Sequence, residues 1–552
     1  MVSFKTFKQA FFVFSLASVM QSSFILCHED LFPYEPPKNF NLNVQLPFVY
    51  HPVSTKNPLA QQYFDQGIIY LYAFNHDAAY WSFKRASEAD PSLAMAYWGM
   101  ALALGPNINM EIDSKRSKIA YQLVQQAKQL SNSSTENEKD YIEALSYRYT
   151  NSSEGKPSND IAYKNAMEKV YQKYPDDLDA ATLYAESVLD LNPWNQWDEK
   201  GNPKAGTLEV VQLLEDVLKK DPYHLGANHY YIHAIEASNY PERALMSAER
   251  LRLLANSFGH ILHMPSHIYL LVGDYHLAAL CNEQAAIADK EYIQKYGIDG
   301  IYPLHYLSHN LYFLSRAYSM EGRFEDALKA GTELSNFYAP YFFEMPELEY
   351  YIPNNIFVYL RFHKWNCILE LPKPDPQQKL TTLVWHFARA MALASVGKVQ
   401  DAEKEQSFFQ QKAAQIPSDL KYGYNYAKPI MEIADLTLKA KFSELKGNTF
   451  DAITDLQNAI AVQDKLHYNE PPDWYFPIRE SLGGLFLRQK KYGDAEKIFR
   501  DDLAKHPRNG RSLFGLLESL KGQKKYTDAF WVNRAWKEAW QHSTTPLTIN
   551  DL

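Results

Sequence analysis

Ala60–Leu93 reads AQQYFDQGIIYLYAFNHDAAYWSFKRASEADPSL. Two helical stretches flank a polar turn at Asn75–Asp77, and a second loop, SEADPS, closes the unit after 34 residues. Gly67 and Ala79, at positions 8 and 20, are small where two antiparallel helices approach each other. Tyr70 and Phe83, at positions 11 and 24, fill the space between them, Ala86 follows at 27, and Pro91 at 32 starts the turn into the next unit. The spacing recurs in Phe476–Asn509 with Gly483, Phe486, Ala495, Phe499 and Pro507, and an abutting unit from Gly510 carries Ala529 at position 20. Between these ends the turns FNHDAA, VGDYHLA, EGRFEDA, VGKVQDA, KGNTFDA, QKKYGDA and QKKYTDA each join a helix end to an alanine that opens a second helix.

This pattern resembles the tetratricopeptide repeat (TPR) over residues 59–542. The resemblance implies an all-α solenoid of about ten to twelve helix pairs with a concave groove, in which partner binding is the usual function. Weaker units fall near 94–131, 157–192, 349–372 and 383–416, and an insert at 190–206 (DLNPWNQWDEKGNPKAG) implies irregular stacking. More narrowly, FDQGIIYLYAFNHDAAYWSFKRASEADPSLAMAYWGMALALGPNIN, GANHYYIHAIEAS, GHILHMPSHIYLLVGDY and PRNGRSLFGLLESLKGQ resemble a group of exported bacterial TPR proteins. That likeness lends fold and compartment but no reaction.

The ends of the chain differ in character. Residues 1–27 read as a signal peptide, with Lys5 and Lys8 ahead of the short apolar run Ala10–Val19. The expected location is therefore extracytoplasmic, periplasmic or secreted, with no membrane span after signal removal. Residues 28–58, rich in Pro, Asn and Phe, predict an extended arm along the first helices, and 543–552 form a tail. With 56 basic and 65 acidic residues the formal charge is −9, and no basic stripe marks a nucleic-acid binder. Three cysteines provide no disulfide framework, so packing must stabilise the fold. No βαβ alternation, GxGxxG, P-loop, GxSxG or HExxH is present, so no recognised catalytic motif marks the chain as an enzyme.

One stretch stands out against this scaffold. Nine of seventeen histidines lie between His224 and His309. His229, His233 and Glu236 share one helical face, and so would His260, His263 and His267 if Pro265 did not interrupt their helix. Alanine positions set repeats beginning at Leu225, Gly259 and Ser308, which places His229, His233, Glu236, His260, His263, His267, His309, Tyr312 and Arg316 at positions 2, 5, 9 or 12. In TPR proteins these positions line the concave groove, so the resemblance assigns that group, with Asn228, His305 and Asn310, to a ligand groove.

Two functions follow. The first is an exported scaffold whose groove holds a protein or peptide. The second is a metal-binding protein, with zinc or copper held by a subset of His229, His233, Glu236, His260, His263, His267 and His309, because neutral imidazole is the commonest transition-metal ligand. Glu236 would then complete the ligand set or act as a base on bound water. Against the metal, buried imidazoles are often satisfied by a tyrosine or carbonyl, and Tyr230, Tyr231, Tyr269 and Tyr306 lie in the same stretch.

Overall fold

The computed structural model describes residues 32–151, 157–254, 258–300 and 302–552. The segment read as a signal peptide lies outside them. The described chain is a TPR-like α-solenoid: antiparallel helix pairs follow one another from Pro58–Tyr72 and His76–Ala89 to Gly510–Gly522 and Tyr526–Ala539. One two-stranded hairpin, Lys421–Tyr422 with Asn425–Tyr426, interrupts the helices. Among the described residues no helix is long and apolar enough to cross a membrane.

The small residues do what their spacing requires. A Cβ on Gly67 or on Gly99 would lie 2.5 Å from the Phe83 ring, so one phenylalanine is clasped between two glycine-bearing helices. Phe499 sits in the same way between Gly483 and Gly515, at 2.4 and 2.1 Å. The alanines at position 20, including Ala79, Ala278, Ala327, Ala402, Ala452 and Ala495, are fully buried. Each of the seven recurring turns contains a residue with left-handed backbone: Phe74, Gly273, Gly322, Gly397, Gly447, Lys490 and Lys524. That conformation ends one helix and redirects the chain into the next.

The solenoid also curls onto itself. Residues 32–57 contain no helix; Phe40 is buried against Tyr70, Trp81 and Tyr296, and the Asn39 side chain donates to the Lys295 carbonyl. Tyr275 donates to the Pro507 carbonyl at 3.1 Å, and Ser543 to the Gly322 carbonyl at 3.1 Å. Contacts therefore run between segments far apart in sequence, and several of them converge on the histidine-rich repeats.

Candidate metal centre

His229 and His233 stand one turn apart on the helix Leu225–Ile235, and Glu236 follows at its C-terminal end. The short helix Gly259–His263 carries His260 and His263. Pro265 begins a separate helix to Val272, yet Met264 between them keeps helical angles (φ −51°, ψ −39°), so the path continues and His263 and His267 remain one turn apart. The helix Ser308–Glu321 supplies His309. Pro265 removes a backbone donor, but the residue before it keeps helical angles.

These side chains form two trios. His229, His233 and His260 bring one ligating nitrogen each within 4.8 Å of one another, and so do His263, His267 and His309. Of the six, only His309 is half-buried; the other five and Glu236 are 5 % exposed or less. Each trio rests on one phenylalanine. Phe74, at the left-handed turn of the first hairpin, stacks on His233 and His260 and meets His229 edge-on. Phe313 packs within 4.9 Å, ring centre to ring centre, of His263, His267 and His309.

The outer nitrogens of four rings act as hydrogen-bond donors. His229 Nδ1 lies 2.6 Å from the Tyr72 carbonyl oxygen and must donate to it. His263 Nδ1 donates to Asn282 Oδ1 at 2.7 Å; the amide is oriented because its nitrogen donates to the Ala278 carbonyl. His233 and His267 donate from Nδ1 to the two oxygens of Glu236, at 2.8 and 2.5 Å. A neutral imidazole protonated at Nδ1 has only a lone pair at Nε2. Four Nε2 atoms point inward, His263 Nε2 facing His267 Nε2 at 2.8 Å and His229 Nε2 facing His233 Nε2 at 3.1 Å. His260 Nε2 is also 3.1 Å from His229 Nε2, while its buried Nδ1 meets no hydrogen-bond partner.

Facing lone pairs repel unless a cation lies between them. That cation is a proton or a metal ion. Burial, with the neighbouring imidazoles, holds His229, His260, His263 and His309 well below 6.5. Burial also lowers His233, although Glu236 pulls it upward. Burial opposes ionisation of Glu236, but the imidazoles of His267 and His233 prevail and bring its carboxyl down to about 2. Around a metal with bonds of 2.0–2.1 Å, adjacent ligands stand about 2.9 Å apart at right angles and about 3.3 Å apart in a tetrahedron. The observed separations of 2.8 and 3.1 Å fall in that neighbourhood.

The remaining candidates have other partners. Asn228 donates to the Pro222 and His224 carbonyls and ties down the start of its helix. Asn310 donates to Asp289, Tyr312 packs against Tyr350 and Tyr351, and Arg316 lies over the Tyr475 ring. His305 is half-buried in the irregular turn before Ser308 and belongs to neither trio. Glu236 holds the outer nitrogen of one imidazole in each trio, so it orients ligands and does not sit on their inner side. A third grouping, His276, Glu321 and His542, lies nearer the surface, and Arg323 already pairs with Glu321 at 3.4 Å.

Several participants were not singled out in the sequence. Trp194, from the 190–206 insert, stands edge-on to His233 at 5.4 Å and packs against Tyr424 of the β-hairpin. Its carbonyl accepts from His467 Nε2 at 3.1 Å. Tyr468 reaches Glu236 at 3.3 Å and Glu470 at 3.1 Å. Burial, with Glu236 nearby, pushes the Glu470 carboxyl up to about 8. The insert's break in helical pattern was visible; its destination was not.

No family model matches the chain, and no curated protein matches it. Among solved structures it is similar to the APC/C hetero-tetramer Cut9–Hcn1 (13 % identity over 89 % of this chain and 76 % of that one, TM-score 0.29). It is also similar to the human IFIT1 dimer with m7Gppp-AAAA (12 % identity, 88 % of this chain and 91 % of that one, TM-score 0.31). A third likeness is to the P58(IPK) TPR domain (11 % identity, 85 % and 99 %, TM-score 0.21). Likenesses this distant carry no functional argument.

Proposed function

We propose that the protein is a TPR-like scaffold built to hold transition metal in the histidine centre, with zinc and copper the ions that suit imidazole donors. The observation that carries this reading is the inward set of four Nε2 atoms, each on a ring whose Nδ1 donates to an outer acceptor. Metal-binding imidazoles generally donate their other ring N–H to a carbonyl or carboxylate, which sets the tautomer and raises ligand basicity. A packing role would require only that each ring find a partner; it gives no reason for six imidazoles to gather into two trios with their ligating nitrogens within 4.8 Å of one another. At these repeats Phe74, Trp194 and Tyr468 occupy the space beside the imidazoles, which favours an ion over a peptide strand.

The test uses the full-length chain purified without a histidine tag. Elemental analysis should find stoichiometric zinc or copper. Adding the ion to metal-free protein should raise its thermal midpoint, by about 2.7 kcal/mol of stability at a hundredfold excess over Kd. Both effects should disappear in His233→Ala/His263→Ala/His267→Ala. Metal-free protein whose midpoint ignores both ions would return the histidines to the core as packing residues.

A further inference from the structure

The six imidazoles divide evenly, three to a trio, and the trios lie side by side. His233 and His267 rings are 5.7 Å apart across the division, His260 and His263 rings 5.9 Å, and Glu236 grips one member of each trio. Three protein donors leave a metal an open position, as in metal sites that bind an exogenous ligand and unlike closed structural sites. We propose that the trios hold a pair of copper(I) ions, one in His229, His233 and His260 and the other in His263, His267 and His309, whose open positions accept one bridging ligand of the dioxygen class. This deepens the metal-binding reading and rests on it.

Charge selects the ion. All six donors are imidazoles, which bring no negative charge to a metal, and the nearby carboxylates are Glu236 and, through Tyr468, Glu470. Two divalent ions would leave a buried excess of two positive charges even with both carboxylates ionised. Two monovalent ions leave two fewer positive charges than the divalent pair, whatever the ionisation of Glu470. An uncompensated charge in a low-dielectric interior is costly, so the site favours the monovalent pair. Copper is the metal with a monovalent state that also follows imidazole preference.

The same balance admits dioxygen. Each copper(I) gives one electron and becomes copper(II). The dioxygen takes both electrons and becomes peroxide, its O–O bond order falling from two to one as it bonds to both ions. No proton moves, and the two new negative charges on oxygen offset the two new positive charges on copper. Size restricts the ligand: Phe74 and Phe313 wall the trios, Trp194 covers His233, and the half-buried side is that of His309.

The experiment titrates the metal-free full-length chain with copper(I) under anaerobic conditions, measures retained copper by elemental analysis, then admits air while recording oxygen uptake and the electron paramagnetic resonance spectrum. Two copper ions per chain, one dioxygen consumed per pair and a largely silent spectrum are expected, since bridged copper(II) ions couple their spins. His309→Ala should retain one copper and lose oxygen uptake, with circular dichroism checking that it folds; should it not fold, the wild-type stoichiometry decides. One copper per chain, two uncoupled copper(II) signals, or no oxygen uptake would overturn the copper pair. Retention of zinc alone would also overturn it while leaving the metal-binding reading intact. Failure to retain any metal would remove that reading itself.

Discussion

Two buried polar clusters in this molecule are built on opposite principles. In the C-terminal repeats Glu480 accepts from Arg361 at 3.2 Å, Arg511 at 2.7 Å and Asn509 at 2.8 Å, while Arg361 and Arg511 also donate to carbonyls. Burial opposes ionisation of Glu480, but the two guanidinium groups prevail and hold it at about 2. Its oxygens meet donors, so the cluster is complete within the protein. In the histidine repeats four outer nitrogens have acceptors, the buried Nδ1 of His260 has none, and the inner Nε2 atoms meet one another. A buried network half satisfied in this way is unfavourable as it stands. On the proposed reading, a metal ion completes the histidine cluster.

The largest expected effect breaks the first cluster and spares the second. Glu480→Ala leaves Arg361 and Arg511 buried without their carboxylate and should cost about 3–5 kcal/mol. Denaturant unfolding should show this loss equally with and without metal, and retained metal should be unchanged. A loss confined to the metal-loaded protein would mean that the clusters are not separate.

The next effect sharpens the difference by pH. His229, His233 and His260 have folded values below 6.5, so they remain neutral as pH falls through 6.5, and proton competition for metal begins only at lower pH. Three ordinary imidazoles would lose on the order of 50-fold in affinity per ion between pH 7.5 and 6. Competition titrations with a chelator of known pH dependence should instead find the first trio's affinity nearly flat over that range. A loss of the ordinary size would show that the rings are more open to water than their burial implies.

The smallest effect concerns the residue shared by both trios. Glu236→Gln keeps the shape but replaces one acceptor oxygen with an NH2 group, which cannot accept from the N–H of His233 or His267. One ring must turn or change tautomer, and metal affinity should fall about 10- to 100-fold without loss of fold. Equilibrium titration checks this. Unchanged affinity would reduce Glu236 to a spectator.

Much of the scaffold was legible because it depends on local spacing. The separation of Gly67, Ala79 and Phe83 in one unit, and of Gly483, Ala495 and Phe499 in another, is set by how closely two helices can approach, and that repeats along the chain. The face shared by His229 and His233 was legible for the same reason. The division into two trios was not, because it depends on how His260 turns toward the first helix and His263 away from it on either side of a short helical turn. Repeat position also grouped Asn310, Tyr312 and Arg316 with the histidines, but their partners Asp289, Tyr350 and Tyr475 come from other parts of the chain. Tyr72, Trp194 and Tyr468 carried no local signal; only the curl of the solenoid brings them in.

That curl changes how the chain should unfold. In an open solenoid each repeat answers mainly to its neighbours, and terminal units can fray singly. Here the Tyr72 carbonyl meets an imidazole 157 residues onward, and Tyr468 meets a carboxylate 232 residues back. The first helix and the loop ahead of the last two repeats thus meet at one point near the middle of the chain. Occupying that point would act as a keystone, tying the repeats between Tyr72 and Tyr468 into one cooperative unit.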